Sequence, residues 1–232
     1  MLFVAEIGLN HDGNFDIAHE LIRRAKDAGA DIAKFQFGWR CKPDEINYID
    51  KDRARQLRDW CDYWDIEMMA SIINDEGLEL ARHVGLRRYK IASRTVVDRP
   101  DLVQKVLADG KETFVSLGMW KGEGWPFEVP SDRLHYIFCR SLYPTPPAEL
   151  RAMPTAFGVD RWYGYSDHCL GTSGCVLAIA RGAQFVEKHL TLNKASQVIR
   201  DHILSATPEE FSELVRVGRP LARLVRESNA RR

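Results

Sequence analysis

Two short segments of this chain end in histidine: Gly164-Tyr165-Ser166-Asp167-His168 and Phe185-Val186-Glu187-Lys188-His189. Each reads as a β-strand. Imidazoles at the C-terminal ends of consecutive parallel strands stand on one rim of a sheet, where a divalent metal can be shared between them. A lone histidine would more simply seal the top of such a sheet, so it is the pairing that makes His168 and His189 candidate metal ligands. A second chemistry is carried by Lys34 and Lys90, each inside an otherwise apolar strand segment, where an ammonium is costly to bury unless it meets an anion. Fixed cations of this kind suit a small anionic substrate. Ser71, Ser93, Ser116 and Ser166 fall at strand ends and can donate hydrogen bonds without adding bulk, although any one of them alone would read as a turn or helix cap. Glu6 ends the first strand segment, Tyr143 follows the sixth, and Glu187 either shares the inner face of its strand with His189 or stands behind the ligands.

The elements that must position these groups follow from hydrophobic patterning. Short β-branched or apolar runs alternate with longer amphipathic stretches, the βαβα pattern of a parallel sheet covered by helices. Strands are predicted at 3–7, 32–37, 67–71, 88–91, 112–117, 134–139, 162–165 and 184–189, and helices at 15–28, 53–64, 76–84, 102–108, 171–181 and 208–225. In the last helix Thr207 is the expected N-cap, Pro208 occupies the first turn and Glu209 and Glu210 follow it. Eight strands over 232 residues give about 29 residues per unit, close to a compact (β/α)8 TIM barrel. The glycine- and proline-rich run from Gly118 to Pro126 predicts that the fifth helix is reduced to a loop or a single turn. No linker or compositional break interrupts residues 1–232, so one barrel domain is expected. Barrel enzymes build their sites at the C-terminal ends of the strands, where all of the candidates fall.

Six blocks, in order, resemble motifs of the sialic acid synthase (N-acetylneuraminate synthase) family. They are Ala5-Glu6-Ile7-Gly8-Leu9-Asn10-His11-Asp12-Gly13, Ala33-Lys34-Phe35-Gln36, Tyr89-Lys90-Ile91-Ala92-Ser93, the run from Cys139 to Pro146, the Ser166 to His168 and Glu187 to His189 strand ends, and Asp201-His202-Ile203-Leu204-Ser205. The resemblance implies a transferase that condenses phosphoenolpyruvate with an N-acetylated amino sugar of the ManNAc type, with phosphate leaving by C–O cleavage. It implies Mn²⁺ on His168 and His189, with Mg²⁺ or Co²⁺ as substitutes. It implies that Glu6 orients or deprotonates water, that Lys34 and Lys90 serve the reaction, and that Asp201 holds sugar hydroxyls. Ser71, Ser93, Ser116, Tyr143, Ser166 and Glu187 are implied in substrate binding; Ser71 stands where a threonine is more usual. Two departures bear on the acceptor. The family's long insertion after the Lys34 strand is short here, and its small antifreeze-like C-terminal domain is expected to be missing, since this sequence ends at Arg232 just after the last predicted helix. The acceptor could then be another aldose or aldose phosphate, and the sugar site could be covered by a homodimer partner, by a separate protein or by the loop holding Trp120 and Trp125. Trp39, Trp120 and Trp125 all fall on loops of this rim, where an indole could stack on a sugar face or pack under its loop, and a non-catalytic sugar-phosphate-binding barrel is the alternative for the whole.

Composition narrows the field. The formal net charge is +0, which argues against a nucleic-acid partner, and a small anion needs only a local positive pocket. Five cysteines without a C-x-x-C pair suggest neither a disulfide framework nor a zinc ribbon. No apolar run approaches membrane-spanning length, and a reducing cytoplasm is the expected compartment.

Overall fold

Because successive strand residues face opposite sides, a closed parallel barrel sorts each strand's side chains between an interior and an outer layer covered by helices. The computed structural model describes residues 1–128 and 132–229. Its strands are β1 (Leu2–Gly8), β2 (Ile32–Phe37), β3 (Glu67–Ile72), β4 (Arg88–Ile91), β5 (Glu112–Ser116), β6 (Leu134–Cys139), β7 (Trp162–Asp167) and β8 (Phe185–His189). They pair in sequence order, and β1 closes on β8 with Glu6 beside His189. This is the (β/α)8 barrel expected from the patterning, with strand limits within two residues of those predicted.

The helices are α1 (Phe15–Asp27), α2 (Lys51–Tyr63), α3 (Asp75–His83), α4 (Ser93–Asp98), α5 (Pro100–Ala108), α6 (Ser173–Ala180) and α7 (Pro208–Asn229). Helix α1 starts where the Asn14 side chain accepts from the N–H groups of Asp16 and Ile17, and it buries Ala18, Leu21, Ile22 and Ala25 against the barrel. Helix α7 starts with a reciprocal cap: Thr207 Oγ1 accepts from Glu210 N–H at 3.3 Å, while Glu210 Oε2 accepts from Thr207 N–H at 2.9 Å. The fourth unit carries two helices, whereas the sixth has only the 3₁₀ turn Pro147–Ala152. Among the described residues no helix joins β5 to β6, as the glycine content predicted, and no helix is long and apolar enough to cross a membrane.

Inside the barrel, Val4, Ile32, Met69, Phe114, Ile137 and Phe185 close the lower half as an apolar plug. The rings of Phe114 and Phe185 stack with centroids 4.6 Å apart. Gly164 makes room for this packing, because a Cβ there would stand 2.3 Å from the Phe185 carbonyl oxygen. A second, larger core lies between the strands and the helices and takes the outward residues of every strand.

Candidate active site

Two residues beyond the plug the inner face turns polar. Val4 gives way to Glu6, Ile32 to Lys34, Met69 to Ser71, Phe114 to Ser116, Ile137 to Cys139 and Phe185 to Glu187. These residues floor a cavity of about 510 Å³ at the C-terminal ends of the strands. Twelve candidates named from the sequence border it: Glu6, Lys34, Ser71, Lys90, Ser93, Ser116, Tyr143, Ser166, His168, Glu187, His189 and Asp201. A more open depression of about 800 Å³ near Leu134, His135 and Trp162, at the opposite end of the strands, holds none of them.

The floor is a charged network. Lys34 Nζ lies 2.5 Å from Glu6 Oε2 and 3.6 Å from Glu187 Oε2, and it donates to Ser71 Oγ at 3.0 Å. Gln36 Nε2 donates to Glu6 Oε1 at 2.9 Å, so both oxygens of that carboxylate are oriented. Gly8, at φ +53°, turns the chain just beyond Glu6; a Cβ there would stand 2.8 Å from Glu6 Oε1. On the other side Lys90 Nζ donates to Ser116 Oγ at 2.6 Å, and Ser166 Oγ donates to Glu187 Oε1 at 2.7 Å. Ser93 Oγ sits 3.1 Å from Cys139 Sγ and accepts from Gly118 N–H at 2.9 Å, so part of its capacity serves the backbone.

Burial sorts the protonation states. It raises Glu6 to about 7, with the neighbouring Lys34 opposing the rise and Glu187 adding to it. It would raise Glu187 too, but the facing Lys34 and Lys90 outweigh it and hold that carboxyl at about 2. Lys34 stays above its ordinary value because Glu187 and Glu6 overcome its desolvation. Lys90 falls below its ordinary value, since burial and the nearby Lys34 outweigh Glu187. One carboxylate is thus firmly ionised while the other is poised to exchange a proton near neutrality.

His168 and His189 stand together as two candidate metal ligands. The rings of His168 and His189 have centroids 5.6 Å apart. His168 Nδ1 lies 2.8 Å from the Arg140 carbonyl, which can only accept, so Nδ1 carries the proton and the Nε2 lone pair is left as the donor to an ion. His189 Nδ1 is buried without a hydrogen-bond partner. Burial lowers His168 to about 4 and His189 to about 3, leaving both neutral as ligation requires. Among the described residues no three His, Cys, Asp or Glu side chains converge on one point, so these two imidazoles would leave the remaining positions to water and substrate.

Beside His168 stand Tyr143, whose ring lies 4.2 Å from the imidazole and 4.5 Å beneath the Arg200 guanidinium, and Asp201, whose carboxyl burial raises above its ordinary value. Asp201 sits in the 3₁₀ turn Arg200–Leu204. The adjacent His202 anchors that turn, with Nε2 at 2.8 Å from Asp12 Oδ1 and Nδ1 at 2.7 Å from Thr191 Oγ1. Asn10 donates to the Leu190 carbonyl and to Ser205 Oγ, both at 2.9 Å. The opening motif thus braces the Asp201 loop.

The chain belongs to the NeuB family. The family profile matches residues 21–229. An uncharacterised protein of Methanocaldococcus jannaschii is 32% identical over 233 residues, covering 91% of this chain and 68% of that protein. The human N-acetylneuraminate-9-phosphate synthase is 29% identical over 252 residues, covering 95% of this chain and 70% of that enzyme. The crystal structure of an N-acetylneuraminic acid (sialic acid) synthetase from Leptospira borgpetersenii superposes with a TM-score of 0.83 at 25% identity, over 97% of this chain and 84% of that one. The relatives with named activities are synthases, and the expectation of a transferase barrel is borne out.

Two readings change. Trp120 and Trp125 do not border the cavity: Trp125 stacks on Tyr136 at 4.7 Å and meets Trp162 edge-on at 5.0 Å, while Trp120 Nε1 donates to the Gly124 carbonyl. Apolar area on the outer barrel wall claims these indoles, so that loop supplies no sugar platform. The cavity also contains groups the sequence did not single out, namely Gln36, Arg40, Arg94 and Arg200. Gln36 was accessible to reasoning, since it lies two residues beyond Lys34 on the same strand. The arginines sit on loops, where no periodicity gives their direction.

Proposed function

We propose that this NeuB-family enzyme condenses phosphoenolpyruvate with an N-acetylated amino sugar to give a sialic or nonulosonic acid and phosphate, with a divalent metal, foremost Mn²⁺. The observation that carries this reading is that two buried lysines, each bonded to a serine hydroxyl, open into the same cavity as a pair of neutral imidazoles. Lys34 and Lys90, with Ser71, Ser93, Ser116 and Ser166, give phosphate and carboxylate oxygens fixed cations and hydroxyl donors. Burial disfavours the Lys90 ammonium, and a bound anion would offset that cost.

C3 of phosphoenolpyruvate adds to the acceptor aldehyde and water adds at C2; the C2–O bond to the phosphate group then breaks, and phosphate leaves with its bridging oxygen and the proton given up by the C2 hydroxyl as that becomes the ketone. Glu6, held near pKa 7 and oriented by Lys34 and Gln36, takes the proton that water loses. That proton balances the one gained by the new hydroxyl at the former aldehyde. Asp201 and Tyr143, beside His168, receive the sugar hydroxyls. A divalent ion held by His168 and His189 supplies Lewis acidity toward the aldehyde oxygen.

Phosphate release from phosphoenolpyruvate, followed with Mn²⁺ over a panel of N-acetylated hexosamines and their phosphates, tests the reading. Release with at least one acceptor is expected. No release with any aldose leaves the non-catalytic binding barrel. A phosphorylated acceptor is favoured by Arg40, Arg94 and Arg200, which add cations to the cavity wall away from the lysine floor; faster turnover of the phosphate esters than of the free sugars is its signature.

A further inference from the structure

The inner faces of β7 and β8 carry the imidazoles and Glu187, while their outer faces carry a charged pair that the mechanism above does not use. Asp167 and Lys188 are cross-strand neighbours with fully buried side chains, and Nζ lies 3.0 Å from Oδ2. Asp167 Oδ1 also accepts from the Tyr165 hydroxyl at 2.8 Å and from Cys169 N–H at 2.9 Å, and Oδ2 accepts from the Cys175 thiol of α6 at 3.3 Å. Lys188 Nζ donates in addition to the Cys169 carbonyl at 2.5 Å. Neither side chain borders the cavity, so neither can touch substrate.

Their place in the chain gives them another role. Asp167 and Cys169 flank His168, and Lys188 immediately precedes His189. One ammonium therefore ties the chain on both sides of the first imidazole to the residue beside the second. The Cys169 peptide is held at both its N–H and its C=O, which fixes the backbone just beyond His168. A buried ion pair is a weak source of net stability, because desolvation offsets its attraction and an apolar pair of similar volume is often neutral or stabilising. What an apolar pair would not supply is direction: these bonds set the register of the two strand ends at the step from which both rings project.

Resting on the metal reading above, we propose that Lys188 and Asp167 are positioning residues that fix the separation and orientation of the His168 and His189 imidazoles for a divalent cation. Mn²⁺ binding to the full chain without substrates, read from the electron paramagnetic resonance of the free ion, tests this together with thermal unfolding. Lys188→Met should weaken Mn²⁺ binding about 10–100-fold, the range for lost outer partners of metal ligands. That variant strands a buried carboxylate and is expected to lose stability as well. The double variant Asp167→Asn/Lys188→Met removes the charge imbalance, so its Tm should return toward wild type while its Mn²⁺ affinity stays low. Recovery of both Tm and Mn²⁺ affinity in the double variant overturns the proposal, because a merely structural pair would behave that way. Unweakened binding by folded Lys188→Met overturns it equally. A wild-type chain that binds no Mn²⁺, or His168→Ala and His189→Ala variants that bind it as tightly as wild type, overturns the metal reading and the proposal with it.

Discussion

The two halves of the barrel interior are built from the same strands and differ by one step of two residues. Below, Val4, Ile32, Met69, Phe114, Ile137 and Phe185 fill the space with apolar atoms. Above, Glu6, Lys34, Lys90 and Glu187 put four ionisable groups at positions buried almost as completely. The lower half gains from burial, and the upper half is an arrangement that burial opposes: it pushes Glu6 up and Lys90 down. The contrast shows where this fold concentrates stability and where it concentrates reactivity. An apolar floor that excludes water strengthens every electrostatic interaction directly above it.

If that division holds, changes in the upper half should move catalysis and binding, and changes in the floor should move stability. The largest effect is expected for Glu6→Gln, which removes the proton acceptor while keeping its shape; turnover should fall roughly 10²–10⁴-fold, the usual range for a general base. Single-turnover phosphate release measures this, and unchanged turnover would take Glu6 out of the reaction. Phe185→Ala opens a void against Phe114 and should cost about 3–5 kcal/mol in urea unfolding, with the phosphoenolpyruvate KM of the folded fraction unaltered. A large KM change instead would mean that floor and ring are not separable. Lys90→Met sharpens the comparison from the other side: phosphoenolpyruvate affinity by calorimetry should drop by about 1.5–3 kcal/mol, as for a charge-assisted hydrogen bond. The same variant should unfold at an equal or higher urea concentration, since it removes a desolvated ammonium; clear destabilisation would contradict the division.

The pH dependence gives a smaller effect with a definite sign. Burial holds Glu6 at about 7, so its basic form is lost as the pH falls below that value. The acid limb of kcat/KM should then decline about tenfold per pH unit below the apparent pKa. A limb centred near an ordinary glutamate value, about 4.3, would assign it elsewhere. Trp125→Ala should change least: the indole packs on Tyr136 outside the cavity, so the acceptor KM should stay at its wild-type value. An increase would restore that loop to the sugar site.

Much of this architecture was legible in one dimension. The spacing of β-branched and amphipathic runs located all eight strands, because a parallel barrel imposes a regular repeat of strand and cover. The glycines between Gly118 and Gly124 announced that no helix joins β5 to β6 among the described residues. Strand-end position then placed Lys34, Lys90 and His189 at the barrel mouth, where a cation or imidazole inside an otherwise apolar strand finds its partner, whereas the facing of Glu187 was decided only when the barrel closed. Loops offered no such rule. Trp120 and Trp125 follow a strand end but turn back onto the outer wall, and Arg40, Arg94 and Arg200 enter the cavity from segments without a period.

The sequence by itself determined the barrel, the rim that carries the polar groups and the residue types gathered there, because strand alternation and strand-end position are local properties of the chain. Only the tertiary structure decided how those groups act on one another. Glu6 and Lys34 meet across β1 and β2, whereas Asp167 and Lys188 meet on the outer face of β7 and β8. His202 reaches Asp12 across 190 positions of sequence. Which carboxyl is ionised, which ammonium is depressed and which loop holds Asp201 depend on distances and burial that exist only once the barrel closes, since Coulomb attraction and desolvation respond to separation in space and not along the chain.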